Sequence, residues 1–388
     1  MNFKNILYSY YDIFFCSLFL LFLFFLPVKV DIYNFVCIAY LTFLVFKNEF
    51  SFKYIYRDEF VVFIFLFWAV AIISSAYNSF SVNKSFDVLT AIFPYLLGRY
   101  LESKNIEKYL YCYVVIVLLT VIVCYFYRYD SLRMVNVAFL FFKNISRSSL
   151  FLSIGVLVSL FFCFRVKKKF FKIFYIVTIL FLFYLVFILQ ELTPLVSLLG
   201  CSGLFLIKKK FKIYVVISIV VLFLLSIYFT HNKLKRLSDN PLSHITVNHR
   251  YNLWLAAFNM FKENPIIGHG YKSFKEKYRN YLDKRNRHYD SSVESAGYQD
   301  AHNISLQLLA ETGILGFLTI TFMFIYAFYL GMWKYSYDDF SFLIALIILL
   351  IYLNMQLHVH LDVNSVRGGM FLFLGLFKAR IEYLKDGY

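Results

Sequence analysis

Apolar runs separated by short polar turns repeat along almost the whole chain. Most runs approach twenty residues, enough for a helix to cross ~30 Å of hydrocarbon. The pattern predicts twelve spans, at 7–27, 32–46, 60–77, 86–101, 109–127, 149–165, 172–190, 194–207, 212–230, 313–332, 340–357 and 368–384. Spans two and eight are short, and span four contains Pro94. The rhythm is interrupted once, over 231–312, by a long polar segment. The expected architecture is an all-α polytopic membrane protein of about twelve transmembrane helices. It forms one membrane domain, 1–388, with the loop 231–312 inserted between spans nine and ten.

The loop has a pattern of its own. Leu253, Trp254, Ala257, Phe258 and Phe261 recur at helical spacing, which predicts an amphipathic helix over 251–262 lying at the membrane interface. Asn264 and Pro265 stop it. Gly268 and Gly270 mark a turn in which backbone passes close to another surface. Residues 272–287 form a second candidate helix, with Phe274, Tyr278, Tyr281 and Leu282 on one side, and 288–300 reads as flexible. Residues 302–311 form a helix that leads into span ten and breaks at Thr312–Gly313.

Composition agrees with a membrane protein. Of 388 residues 61% are hydrophobic and only 16% charged, with 49 Phe and 33 Tyr; a soluble chain carries about a quarter charged residues. The net charge of +16 invites a nucleic-acid partner, but the excess lies mostly in short turns between spans. With the N-terminus inside, the inner segments hold twenty Lys and Arg and the short outer ones seven. That is the bias expected of cytoplasmic turns, and it leaves both termini cytoplasmic and 231–312 outside. Two similar turns, VKKKFFKIFYIV and IKKKFKIYVVIS, are explained as positive-inside anchors. The first run ends in Phe24, Phe25, Leu26 and Pro27 with no small-residue cleavage site, so it is expected to be retained. Six Cys lie in or beside apolar runs, with no CxxC, which suits small buried residues better than disulfides or zinc.

Few residues outside the apolar runs have the chemistry for a site. Arg250 offers a planar cation matched to phosphate oxygens at the start of the amphipathic helix; the plainer reading is a headgroup anchor. His302 can take a proton from a hydroxyl near neutral pH, and its neighbour Asn303 can bond sugar hydroxyls or fix the turn. Arg147, in NISRSS before span six, and Arg367, before Gly368 and Gly369, are further candidate cations. HVHLD at 358–362 imitates a metal motif but brings no fourth ligand, so neither metal nor cofactor is expected. The basic run 272–287 is read as a solvated face or as one meeting lipid phosphates.

RYNLW from 250, KENPIIGHGY from 262 and AHNISLQLLAETGILGF from 301 together resemble the shared core of the O-antigen ligase and polymerase superfamily. The resemblance implies metal-independent transfer of glycan from an undecaprenyl-diphosphate carrier, on the periplasmic side of the bacterial inner membrane. In a ligase the acceptor is a sugar hydroxyl of the lipid A core; in a polymerase it is another lipid-linked repeat unit. By position, Arg250 would hold the diphosphate and His302 would orient or deprotonate the acceptor. Arg147, Asn303, Arg367, Trp254, Gly268 and Gly270 would complete the substrate-binding set, and inversion at the anomeric carbon is expected. The chain departs from many relatives between spans seven and eight. There Gln190, Glu191 and Thr193 stand in LQELTPLVS with no cation, so either Glu191 points elsewhere, or Arg147 or Arg367 supplies the missing charge, or the donor is held differently. A lipid-glycan transporter is the reading from another class, but it predicts mid-span charges that are scarce here.

Overall fold

A computed structural model of the chain describes residues 3–25, 32–46, 56–127, 145–189, 192–209, 242–295, 300–357 and 364–386. Among them there are helices and no strand. In chain order the helices are α1 (Phe3–Phe25), α2 (Ile32–Phe46), α3 (Glu59–Tyr77), α4 (Ile92–Tyr100), α5 (Ile106–Tyr127), α6 (Ile145–Arg165), α7 (Lys169–Ile188), α8 (Leu192–Lys208), α9 (Leu242–Glu263), α10 (Phe274–Lys277), α11 (Ser291–Ser295), α12 (Ile304–Tyr329), α13 (Asp339–Met355) and α14 (Asn364–Lys385). Five described helices are long and apolar enough to cross a membrane, and α2, α8 and α13 are shorter apolar helices. The predicted ninth span lies outside the described residues. Span four is not one helix: a 3-10 helix, Val82–Ala91, leads into α4, where Pro94 occupies the first turn and loses no helical hydrogen bond.

Helix α13 is the centre of the bundle. Every residue from Leu343 to Ile348 has no exposed surface, and it packs on α8, α12, α14 and α6. Helix α14 lies against α4 so closely that a Cβ on Gly98 would meet the Leu372 carbonyl and one on Gly375 the Tyr95 carbonyl. Helix α7 sits at the edge, packed mainly on α6, with Val177 and Leu180 exposed. Such an apolar outer face suits lipid rather than water.

At one end of the bundle charged residues meet in pairs. Arg99 of α4 bonds Asp58 at 3.2 Å and also Glu382 of α14; Lys378 bonds Glu59. Tyr95 donates to Asp58 at 2.6 Å, and Asp58 also caps α3 through the Phe60 N–H. Arg380 grips Asp338, the cap of α13, at 2.7 Å, and Lys209 reaches Asp339 at 2.6 Å. All these residues fall in segments expected on one side, so the ends of α3, α4, α8, α13 and α14 are locked together there. An Arg or Lys removed from such a half-buried pair strands its carboxylate, which is costly.

The opposite end carries a second, separate core. Leu253, Ala256, Ala257 and Met260 of α9 pack with Phe274, Tyr278, Leu282, Val293, Ala301 and Ala310. This cap differs in detail from the expected helices. The helix expected over 251–262 begins earlier, at Leu242. The one expected over 272–287 is only α10 plus a 3-10 turn, Tyr278–Tyr281. The basic residues after it bring no apolar residue at helical spacing, so the chain continues as turns.

One junction fastens cap to bundle. The turn after α9 runs alongside the break in α12. His269 N–H donates to Ala310 O (3.0 Å), Gly270 N–H to Glu311 O (2.9 Å) and Ile314 N–H to Pro265 O (2.9 Å). Gly313 has φ +63° and Gly268 φ +68°, conformations that only glycine takes freely. A Cβ on either would strike the facing backbone. The end of α3 closes the junction: Ser74 donates to Glu311 O (2.7 Å) and accepts from Gly270 N–H (3.0 Å), while Asn78 donates to Gly268 O (2.8 Å). The Glu311 side chain is 2% exposed, and its oxygens accept from Lys272 N–H (2.9 Å), Phe274 N–H (3.2 Å) and Gln307 Nε2 (3.2 Å).

Two predictions follow from this junction. Glu311→Ala orphans two buried N–H groups, each costing about 1–3 kcal/mol. Thermal unfolding in detergent should show Glu311→Ala well below wild type, with Glu311→Gln between them; an unchanged midpoint would contradict the role given to the carboxylate. His269 is buried and donates through Nε2 to Met260 O (2.9 Å), which leaves Nδ1 to accept from Asn264 (3.3 Å). Burial, with Lys277 nearby, pushes its pKa below the ordinary 6.5. Its contribution is therefore complete above pH 6.5 and is lost as the pH falls below that value, where only the unfolded chain binds the proton. Unfolding midpoints measured from pH 8 to 5 should fall more steeply for wild type than for His269→Gln; parallel curves would rule the effect out.

Candidate functional site

Of the two residues singled out first, Arg250 lies on α9 and His302 in the turn just before α12, both elements that contribute to the cap core. Arg250 lies half-buried on α9, one turn before Leu253. The junction joins the C-terminal end of α9 to residues 310–315 of α12, so the N-terminal end of α9 and the first turn of α12 both point away from it. Arg250 and His302 are thus carried toward the same end of this helix pair.

The N-terminal half of α9 is fastened at His249 by polar residues that the sequence pattern does not single out. His249, 7% exposed, has Nε2 at 3.0 Å from Asp290 Oδ2 and 2.7 Å from Ser292 Oγ. Ser292 in turn donates to Asp290 Oδ1 at 2.6 Å. The Ser292 hydroxyl and its N–H, with His249 beside them, hold the Asp290 carboxyl below the usual carboxylate range. Asp and Ser share one imidazole nitrogen, so the trio is a clamp rather than a relay through both ring atoms. Asn252 extends it by donating to His288 O at 2.8 Å. Residues 288–292, at the start of the stretch expected to be flexible, are held by these bonds against His249 and Asn252, the neighbours of Arg250.

His302 stands in a tightly specified turn. Its backbone φ is +50°, unusual for any residue but glycine. Asp300 Oδ1 accepts the His302 N–H at 3.0 Å and lies 3.3 Å from His302 Nδ1. Asn303 caps α12, its side chain accepting the Leu306 N–H at 2.9 Å. Of its two expected roles, fixing the turn is the one the geometry displays. Ala301 N–H donates to Gln307 Oε1 at 3.2 Å, and Gln307 Nε2 reaches Glu311. The turn that carries His302 is therefore continuous, through Gln307, with the junction that anchors the cap. The His302 side chain remains 31% exposed.

The other expected residues are distributed as follows. Trp254 is half-buried on α9, and its Nε1 is buried without a hydrogen-bond partner among the described residues. Gly268 and Gly270 are buried at the junction, where the closeness of Glu311 and Phe80 accounts for both. Arg367, 4% exposed on the first turn of α14, lines a small apolar cavity with Tyr271, Phe67, Val88 and Ile320. Tyr271 donates its N–H to Ser75 at 3.1 Å, so Arg367 reaches the underside of the junction. Arg147 is half-buried on α6, among buried Ser146, Ser148 and Ser149. That helix packs chiefly on α7, α8, α5 and α13, a different wall of the bundle. Gln190, Glu191 and the HVHLD segment lie outside the described residues. Among the described residues no group of His, Cys, Asp and Glu is arranged to hold a metal.

A family model described as O-antigen ligase matches residues 192–321. The matched stretch begins at α8 and ends within α12; it includes Arg250, the glycine turn, His302, Gln307 and Glu311. No curated protein matches the chain. The match coincides with the cap and the junction that fastens it, and over these residues the chain is similar to the O-antigen ligase family.

Proposed function

We propose that the protein is an O-antigen ligase of the bacterial inner membrane, acting on the periplasmic side. It moves glycan from undecaprenyl diphosphate to a sugar hydroxyl of the lipid A core. One observation carries the reading: Arg250, on α9, and His302, in the turn before α12, sit on elements that share one buried core, anchored to a membrane helix and lying within the stretch the family model matches. A diphosphate carrier is already an activated leaving group, so the chain has three tasks. It must stabilise charge on the departing phosphate, accept a proton, and bring two lipid-anchored substrates together. Arg250 serves the first, as a permanent cation with a forked donor face. Arg367, buried beneath the junction, is the better-placed of the two candidates for a second cation, because Tyr271 ties its cavity to the cap. His302 serves the second task through the ring nitrogen that does not face Asp300.

The attacking hydroxyl and the leaving diphosphate then flank the anomeric carbon from opposite sides, so the linkage is inverted. The segregation of charge supports the sidedness: the inner segments are rich in Lys and Arg, and their partners are paired at the bundle end away from the cap. The polymerase remains the second reading, because the matched family core is shared by enzymes that join lipid-linked repeats.

Two outcomes are expected. Arg250→Ala and His302→Ala should each cut glycan transfer by roughly a hundredfold or more, with the protein still inserted and folded; near-wild-type transfer in both would refute the assignment. In a deletion strain, polymeric glycan should stay on the carrier, and NMR of the wild-type product should show an inverted linkage. Core capped by single repeat units would identify a polymerase instead, and a retained linkage would exclude the displacement.

A further inference from the structure

Asp300 does more for His302 than terminate a turn. Its Oδ1 accepts the backbone N–H of His302 (3.0 Å), and the buried ring Nδ1 stands 3.3 Å away, close to it but without hydrogen-bond geometry. A carboxylate oxygen only accepts hydrogen bonds, so the ring meets it best with the proton on Nδ1, and the lone pair is then on Nε2. The backbone supports this setting at a cost. A non-glycine residue at φ +50° is strained and persists only where its surroundings over-determine it. Here they do: Asp300 holds its N–H, Asn303 caps the helix that follows, and Gln307 ties Ala301 to Glu311. Both side chains are partly accessible, Asp300 at 21% and His302 at 31%, so the pair opens to a substrate.

We propose that Asp300 is the positioning residue of an Asp–His dyad. Resting on the reading of His302 as the base, it fixes which ring nitrogen receives the acceptor proton and stabilises the imidazolium that forms. In the step itself, the acceptor hydroxyl gives its proton to His302 Nε2 and its oxygen bonds to the anomeric carbon. The bond from that carbon to the diphosphate breaks, its electron pair leaving on the phosphate oxygen. Asp300 keeps its charge throughout and transfers no proton. The 3.3 Å contact is long, as such contacts commonly are before substrate binds.

The test uses the full chain in proteoliposomes with a lipid-linked donor and a lipid A-core acceptor. Asp300→Asn retains an oxygen for the His302 N–H but loses the charge. The prediction is a fall in kcat of more than about tenfold, with KM for both substrates and the unfolding midpoint near wild type. Asp300→Glu should recover part of the loss. The double variant Asp300→Asn/His302→Ala should be no slower than His302→Ala, because residues acting as one unit are not additive. Azide, a nucleophile with no proton to remove, should restore turnover in both single variants by forming a glycosyl azide and releasing the carrier diphosphate. If His302→Ala is inactive while Asp300→Asn keeps full kcat, or if the two losses add, the dyad is wrong and the base survives. If His302→Ala is fully active, the base assignment falls and takes the dyad with it. Failure of azide to rescue Asp300→Asn also overturns the proposal, since a merely misfolded turn would not be bypassed by a different nucleophile.

Discussion

The structure depends on a buried carboxylate that stitches two distant pieces of chain together. Glu311 sits at the break in α12, and its side chain accepts two backbone N–H groups from the start of the 272–281 segment. Its own carbonyl accepts from Ser74 and from Gly270. A membrane helix thus ends, the cap begins, and α3 closes the joint, all within one short stretch. Buried polar backbone must be paired somewhere, and in a segment at the edge of hydrocarbon, water is scarce. The non-helical Gly313 is accommodated because Pro265 and Ile266 accept the Ile314 and Leu315 N–H groups in place of helical partners.

Position in the cap follows from that stitch. The same carboxylate bonds Gln307, which bonds the Ala301 N–H, so the orientation of the His302 turn is inherited from the junction rather than from the loop around it. On the other side, α9 is held at its C-terminal end by the junction and, about two turns in from its start, by the His249–Asp290–Ser292 clamp. Arg250 lies one residue from that clamp. Two candidate site residues in a long polar loop would otherwise be mobile relative to each other. Here both are referred to the membrane helices, as the proposed transfer between two lipid-anchored substrates would require.

Some of this was legible in the residues. The amphipathic helix, its stop at Asn264–Pro265, the close backbone approach at Gly268 and Gly270, and the break at Thr312–Gly313 all rest on local rules, and each has a counterpart in the structure. The family resemblance lay in the same stretch that the family model matches. What the sequence concealed was pairing over long distances. Nothing at Ser74 or Asn78 announces a partner near residue 311, and Glu311 reads as an ordinary helix residue until the break beside it is known. The Asp300 and His302 contact was overlooked although the two are neighbours, because its meaning depends on a left-handed backbone. The helix expected over 272–287 failed for a related reason: charged and aromatic residues at helical spacing do not make a helix where the chain must turn to bring 286–292 back to α9.

The proposed chemistry has one location, the cap between Arg250 and His302. A structure of the protein in a bilayer with a lipid-linked donor whose sugar–phosphate bond is made uncleavable tests it most directly. The expected result is the diphosphate against Arg250, the anomeric carbon facing His302 Nε2, and the carrier chain in the bilayer beneath the cap. A donor bound with its diphosphate at the opposite end of the bundle, among Arg99, Lys378 and Arg380, would contradict it.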